Sequence, residues 1–405
     1  MNKRLNIGVF GFGCVGQGLY DVLQKTRGMK ADITKICVKN RNKNRPISMA
    51  NFTYNKNDIL NNPDIDLVIE LIDDADEAYH IVKQAIMNGK SVVTANKKMI
   101  AEHFEELFIL QKQHNVSFLY EASCCASIPI IRNLEEYYDN DLMSAVEGII
   151  NGTTNYILSN MIRNNLSYST ALQQAQDCGF AESNPYLDVE AFDAKFKISI
   201  IAAHAFGVFV NPKEIFNYGI SKISLHDIRY AKEKNFDIKL IAHCRRNEEI
   251  LGVWVMPQFI HNDHKLSHVT NEYNGVLVEG VFSDKQFFMG KGAGAYPTGS
   301  AVLSDISAVT YNYKYEYKKF SQGERPEYSL HHEIDIYCRY HVASDLERIP
   351  LHTIHEQYSS REYNYIIGST TIAALKNSTI EQLENIFIAL MLKKKKKSPH
   401  ERAYL

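Results

Sequence analysis

The chain is poor in the features that mark several large classes of protein. Its seven cysteines, at 14, 37, 124, 125, 178, 244 and 338, are odd in number and form no C-x-x-C pair. Neither a disulfide framework nor a zinc site is suggested, and the thiols fit a reducing cytoplasm. A formal charge of -2 over 405 residues leaves no general basic field, so nucleic acid is not expected as a partner. The longest apolar stretch, near residues 198–210, is too short to span a bilayer, so no membrane partner is expected either. An early apolar run follows Met-Asn-Lys-Arg, but glycines break it at once, unlike a secretory leader. There is no repeat and no low-complexity block apart from Lys393 to Lys397, which reads as a solvated tail or a small binding patch. His331-His332 has no further ligands at usable spacing, so no metal site is expected there. What is present is the composition of an ordinary globular protein, 45% hydrophobic and 23% charged, long enough for two or three domains.

The apolar run Leu5 to Phe10 leads into Gly11-Phe-Gly13-Cys-Val15-Gly16 and then an amphipathic Leu19-Tyr-Asp-Val-Leu-Gln, in the order strand, glycine turn, helix. In a dinucleotide-binding turn the first glycine permits the bend and the second lets backbone approach a pyrophosphate. The third lets helix and strand pack closely, with the phosphate over the helix N-terminus. A second strand, 32–38, should end beside the adenosine ribose, where an acid would select NAD. Here it ends in Lys39-Asn-Arg41-Asn-Lys43-Asn-Arg45. That cluster suits the 2′-phosphate of NADP; the alternative is a solvated basic loop, with NAD as the cofactor.

Further strands at 65–72, 91–95 and 116–120, with a helix at 78–87, give βαβ alternation and a parallel sheet. Ligands bind at the carboxyl ends of such strands, which places Asn96-Lys97-Lys98 well. From about 142 the pattern changes. A strand over 142–150 is followed by Asn151-Gly-Thr-Thr-Asn155, rich in capping residues, and strands at 238–244, 251–256 and 275–282 suggest an antiparallel or mixed sheet covered by the helices around 156–207. The glycine-rich turn from Lys291 to Gly294 opens another helix, either as extra backbone for the cofactor or as a hinge back to the first domain. Beyond 320, strands at 333–339 and 363–367 and a helix over 379–391 suggest a small appended α+β unit.

The stretch from Gly179 to Lys197 concentrates acids and one lysine as though to hold a small zwitterion. A Ser-Asn-Pro turn precedes a helix near Asp188 or Asp193, either of which can cap it. Asp193 and Lys197 then share one helix face, followed by Ile200, Ile201 and His204 in a helix apolar nearly all round, and therefore buried. A lysine there can exchange a proton with a substrate near neutral pH. The same spacing also describes an ordinary i,i+4 pair, worth about 0.3–0.5 kcal/mol.

In order along the chain, GFGCVG, TANKK, EASCCASIP, GIINGTTNYIL, GFAESNPYLDVEAFDAKFK and GKGAGAYPTGSAV resemble homoserine dehydrogenase over roughly the first 310 residues. The resemblance implies reversible reduction of L-aspartate 4-semialdehyde to L-homoserine with NADPH or NADH, in cytoplasmic biosynthesis of threonine, methionine and isoleucine. It implies an α/β fold: a Rossmann-type dinucleotide domain (1–132), an α+β substrate domain that also forms a homodimer (133–290) and a return segment (291–320). A C-terminal α+β extension (321–405), at most a shortened ACT-type unit, ends in the lysine-rich tail. By the same resemblance Lys197 is the general acid/base. Glu182 and Asp193 hold the substrate ammonium, with Gly179 and Asp188 in the same site. Lys97 and Gly294 match positions that face the cofactor, joining Gly11, Gly13, Val15 and Gly16 of the glycine turn and Lys39 and Arg41 of the basic cluster. Glu121, Cys124, Ala126 and Ile128 match positions that bind a monovalent cation, Na+ or K+, largely through backbone oxygens. The chain departs from the family where Cys124-Cys-Ala-Ser127 replaces a glycine-rich run and where Glu190-Ala191 replaces Glu-Gly; glycine at such places permits positive φ.

Overall fold

The computed structural model describes residues 4–139, 142–321 and 325–391. A six-stranded parallel sheet holds β1 (Leu5–Phe10), β2 (Ala31–Cys37), β3 (Phe52–Thr53), β4 (Leu67–Glu70), β5 (Ser91–Thr94) and β6 (Phe118–Leu119), in the order β3-β2-β1-β4-β5-β6. Helices α1 (Cys14–Lys25), α2 (Asn57–Leu60), α3 (Ala75–Met87) and α4 (Lys97–His114) lie between them. A parallel strand covered on both faces must be apolar along its length, and β4 is buried at every position. Strand order reverses between β1 and β4, so the carboxyl ends of these two strands frame a crevice, the usual ligand position in such sheets. Glu70, fully buried at the end of β4, accepts from Ile72 N at 2.6 Å and from Thr94 Oγ1 at 2.6 Å, joining the ends of β4 and β5. Burial pushes its carboxyl up to about 7.

After α5 (Ile130–Glu136) the chain enters a mixed sheet of eleven strands. β7 (Met143–Ile149) is followed by α6 (Gly152–Asn164), α7 (Tyr168–Asp177), α8 (Tyr186–Val189) and α9 (Phe192–Phe206). Then come β8 (Phe216–Asn217), α10 (Leu225–Glu233), β9 (Phe236–Asn247), β10 (Ile250–His261), β11 (Tyr273–Gly280) and β12 (Asp284–Lys291), the last of which the sequence did not suggest. β12 is a half-exposed edge strand in which Gln286, Phe287, Phe288 and Met289 break strict alternation, so it carries no period-2 signal. The helix α11 (Ala295–Val309) returns to α1 at near backbone contact. A side chain on Gly18 would meet the Ala295 carbonyl, and one on Gly299 would meet the Leu19 amide. Those two glycines let α11 seat against the helix that opens at the glycine turn.

The C-terminal segment contributes β13 (Glu327–Tyr328), β14 (Glu333–Tyr340), β15 (Thr353–Ser359), β16 (Asn364–Thr371), α12 (Ile372–Asn377) and β17 (Phe387–Met391). Two expectations are corrected here. Residues 379–391 are not one helix: α12 stops before them, and Phe387–Met391 is a strand between β10 and β14. The extension is also not set apart, because β17 runs parallel to β10 and extends the large sheet, with Phe387, Ile388 and Ala389 fully buried. A continuous apolar run fits a doubly covered strand as well as a buried helix, and only the partner strands decide between them. The Arg339 guanidinium on β14, 3.0 Å from the buried Asp227 of α10, fixes this half of the sheet to its covering helix. Lys393 to Lys397 lie outside the described residues. No helix among the described residues is long and apolar enough to cross a membrane.

Candidate active site

The glycine turn has the geometry its spacing implies. Gly11 sits at φ 95°, where a side chain would strike the Leu71 carbonyl, and a side chain on Gly16 would strike the carbonyl of Gly11. Gly13 faces open space and precedes α1 without a side-chain cap, so the first amides of α1 have no side-chain partner there. This is a cradle a Cβ would fill, and it fits a pyrophosphate. Val15 lies in the first turn of α1. Lys39 and Arg41 are exposed just past the end of β2; Lys39 Nζ is 3.8 Å from Asp74, and Arg41 covers the Tyr54 ring. Gly294, at φ 118°, opens α11.

Lys197 is carried on α9, which is buried from Asp193 to Phe206. The expected cap is corrected: neither Asp188 nor Asp193 caps this helix. Ala191 occupies the cap position at φ 66°, and Asp193 lies in the first turn. The carboxylate is thereby free to serve side chains. Its Oδ2 is 2.7 Å from Lys197 Nζ and its Oδ1 is 3.0 Å from Lys97 Nζ, which enters from the first turn of α4. Lys197 Nζ also donates to the Ile150 carbonyl at 2.8 Å. Asn151 Nδ2 donates to Asp188 Oδ1 at 2.7 Å and to Asp193 Oδ2 at 2.9 Å. The Lys197 side chain is 9% exposed and that of Lys97 41%, so Lys197 is the more enclosed of the two lysines.

The electrostatics follow. Burial alone would raise the Asp193 carboxyl, but Lys197 and Lys97 together hold it well below the usual carboxylate range. Asp193 in turn raises the Lys97 ammonium. Asp188 is pushed up by burial and by the charge of Asp193. An ion pair with two lysines and an amide is more than the surface pair that the spacing alone also allows.

Not every expected residue joins this cluster. Glu182 is exposed, and its carboxylate pairs with no group among the described residues; its backbone carbonyl accepts from Gln176 Nε2 at 3.0 Å. Gly179, at φ 75°, is exposed just past α7, and the adjoining Phe180 carbonyl accepts from Thr153 Oγ1 at 2.6 Å, which brings this loop to the start of α6. The sequence reading missed Asn151 as a partner of the acids. Its only sequence signal was a capping pattern.

Behind Lys197 runs the loop between β6 and α5, with Cys124 Sγ 3.9 Å from the Lys197 carbonyl. The Glu121 carboxylate accepts from the amides of Ile131 and Arg132 at the start of α5. Asp305 accepts from Glu121 N and pairs with Arg132 at 2.9 Å. Burial, then the charge of Asp305, pushes Glu121 up to about 8, and burial pushes Asp305 up to about 7. Ala126 takes φ 43° and Ala191 φ 66°, so both departures from glycine keep the positive φ that glycine would allow. Among the described residues there is no group of three or more His, Cys, Asp or Glu able to hold a metal ion.

The profile of the family described as "Homoserine dehydrogenase, NAD binding domain" matches residues 11–121, and that described as "Homoserine dehydrogenase" matches residues 129–307. The homoserine dehydrogenase of Bacillus subtilis is 36% identical over 319 residues, covering 76% of this chain and 74% of its own. The chain belongs to the homoserine dehydrogenase family. The homoserine dehydrogenase of Corynebacterium glutamicum is 32% identical over 364 residues, covering 85% of this chain and 80% of that one. The solved homoserine dehydrogenase of Thiobacillus denitrificans superposes with a TM-score of 0.83 at 29% identity, covering 96% of this chain and 99% of that one. That of S. aureus gives 0.74 at 27%, with the same coverage. As a homoserine dehydrogenase, the chain is an NAD(P)-dependent oxidoreductase acting on a CH–OH group.

Proposed function

We propose that this homoserine dehydrogenase reduces L-aspartate 4-semialdehyde reversibly with Lys197 as the proton donor, and that it prefers NADPH. The observation that carries the reading is the ammonium of Lys197. Of its three hydrogens, one goes to Asp193 and one to the Ile150 carbonyl, leaving the third for a ligand. A nicotinamide cofactor, when bound, would supply a hydride to the carbonyl carbon. As the carbonyl is reduced its π pair would move onto oxygen, where Lys197 Nζ donates its proton; in the oxidation direction Lys197 takes that proton from the hydroxyl. The positioned ammonium also stabilises the developing negative charge before the proton moves. Asp193 orients the Lys197 ammonium.

With both oxygens of Asp193 occupied, the substrate ammonium falls to Asp188, whose Oδ2 has no partner among the described residues, and to Glu182 on the loop held by Thr153. This revises the assignment of the ammonium to Glu182 and Asp193 that the resemblance implied. The exposed Lys39 and Arg41 past β2, with no acid between them, support a 2′-phosphate partner. A monovalent cation, Na+ or K+, fits the loop of Glu121, Cys124, Ala126 and Ile128. The buried acids Glu121 and Asp305 face one guanidinium, and the carbonyls of Cys124 and Ala126 accept no hydrogen bond among the described residues. The exposed Val281, Phe282 and Met289 on the β11–β12 hairpin support a homodimer built on this edge of the large sheet. Cytoplasmic biosynthesis of threonine, methionine and isoleucine is the setting this reading implies. The test is nicotinamide absorbance during turnover of homoserine by wild type and Lys197→Met. Activity in the first and its loss in a folded second supports the assignment.

A further inference from the structure

Asn151 has more contacts in the site than a helix cap requires. It is buried, and its Oδ1 accepts from Thr154 N at 2.9 Å and from Thr154 Oγ1 at 3.0 Å, which caps α6. Its Nδ2 turns the other way, with Asp188 Oδ1 at 2.7 Å and Asp193 Oδ2 at 2.9 Å. The carbonyl of the preceding residue, Ile150, is the second acceptor of the Lys197 ammonium. One short segment therefore fixes the start of α6, both acids and the lysine.

We propose that Asn151 is a positioning residue for the reaction, whose amide bridges Asp188 and Asp193 so that one carboxylate stays on Lys197 and the other is presented to the substrate ammonium. The inference rests on the reading above, in which Asp188 takes the ammonium. Two neighbouring carboxylates repel, and something must hold them together before the substrate arrives. An amide NH2 has two hydrogens, one for each acid, and no charge. A lysine here would compete with Lys197 for Asp193, and an aspartate would add a third negative charge. The charged groups facing this amide are Asp188 from α8, Asp193 and Lys197 from α9, and Lys97 from α4, with the thiols of Cys124 and Cys125 beside Lys197. Losing the donor makes each carboxylate easier to protonate.

Capping and bridging can be separated by substitution. Serine, asparagine and aspartate all cap helices well, but serine lacks the reach and the second hydrogen. In Asn151→Ser, kcat/KM for homoserine should fall by about 10- to 100-fold, with the acid limb of its pH profile moved to higher pH and NADPH affinity, read by fluorescence titration, unchanged. Asn151→Asp keeps size and cap but should lose more activity than Asn151→Ser, increasingly so as the pH rises. Wild-type kcat/KM and an unmoved acid limb in a folded Asn151→Ser enzyme would overturn the proposal, as would a loss of melting temperature alone. Lys197→Met, measured beside them, separates the two levels: if it kills activity while Asn151→Ser does not, only the bridging role fails. If wild type itself does not oxidise homoserine, the underlying reading fails and takes this one with it.

Discussion

Replacing Asp193 by asparagine removes one charge and leaves two ammonium groups facing each other. Lys197 and Lys97 stand 2.7 and 3.0 Å from the two oxygens of that carboxylate. Their nitrogens are thus on the order of 5 Å apart, and at an effective dielectric of about 20 two such charges repel by about 3 kcal/mol. That repulsion is offset by the carboxylate in wild type and unopposed in Asp193→Asn, and aldehyde reduction needs a protonated lysine, so the basic limb of kcat/KM in that direction should move down in the variant. Adding Lys97→Met should move it part of the way back. Stability should change as well, since removing one partner of a buried ion pair costs about 3–5 kcal/mol. The sign with pH is fixed by the depressed Asp193 carboxyl. Its contribution is complete above the ordinary carboxyl value of about 3.9 and is lost as pH falls through the lower folded value. The melting-temperature gap between wild type and Asp193→Asn should therefore be full at pH 7 and shrink below about pH 4. A folded Asp193→Asn enzyme with an unmoved basic limb would refute the idea that this carboxylate holds the proton donor.

Other outcomes follow from single features of the structure. Ala191→Gly and Ala126→Gly should each raise stability by about 0.5–1 kcal/mol, because alanine at φ 66° and 43° carries a penalty that glycine escapes, less the entropy glycine adds to the unfolded chain; thermal melts read the difference. Lys39→Ala with Arg41→Ala should lower kcat/KM for NADPH about tenfold or more and leave the value for NADH nearly unchanged, while equal losses for both cofactors would contradict a 2′-phosphate role. Asp188→Asn and Glu182→Gln should raise KM for homoserine more than they lower kcat, and Asp188→Asn should do so more strongly, given its place in the buried cluster.

Much of this was legible in the sequence because the relevant signals are local. The glycine turn needs only a strand before it and a helix after it, and Gly11 and Gly16 make the close backbone approaches their spacing implies while Gly13 faces open space. The Asp193 and Lys197 pairing is set by one helical turn. What the sequence could not show depends on partners far away in the chain. Lys97 reaches Asp193 from the first turn of α4, and that contact puts a second lysine on the carboxylate. Asn151 read as a cap because its Oδ1 is one; its Nδ2 contacts arise only once α8 and α9 pack against α6. Phe387–Met391 read as the end of a helix because an apolar run carries no period of its own. Its place between β10 and β14 requires a strand more than 120 residues earlier.

The most direct test of the account is the pH dependence of homoserine oxidation and aldehyde reduction by Lys197→Met beside wild type, followed by nicotinamide absorbance from about pH 6 to 10, a window chosen around the roughly 10.4 reference value of lysine. The account predicts that wild type turns over and that Lys197→Met, with melting temperature and NADPH affinity kept, loses about 10²- to 10⁴-fold in kcat in both directions. Near-normal kcat in the folded Lys197→Met enzyme across that range would remove the lysine from the chemistry and leave it a buried ion pair.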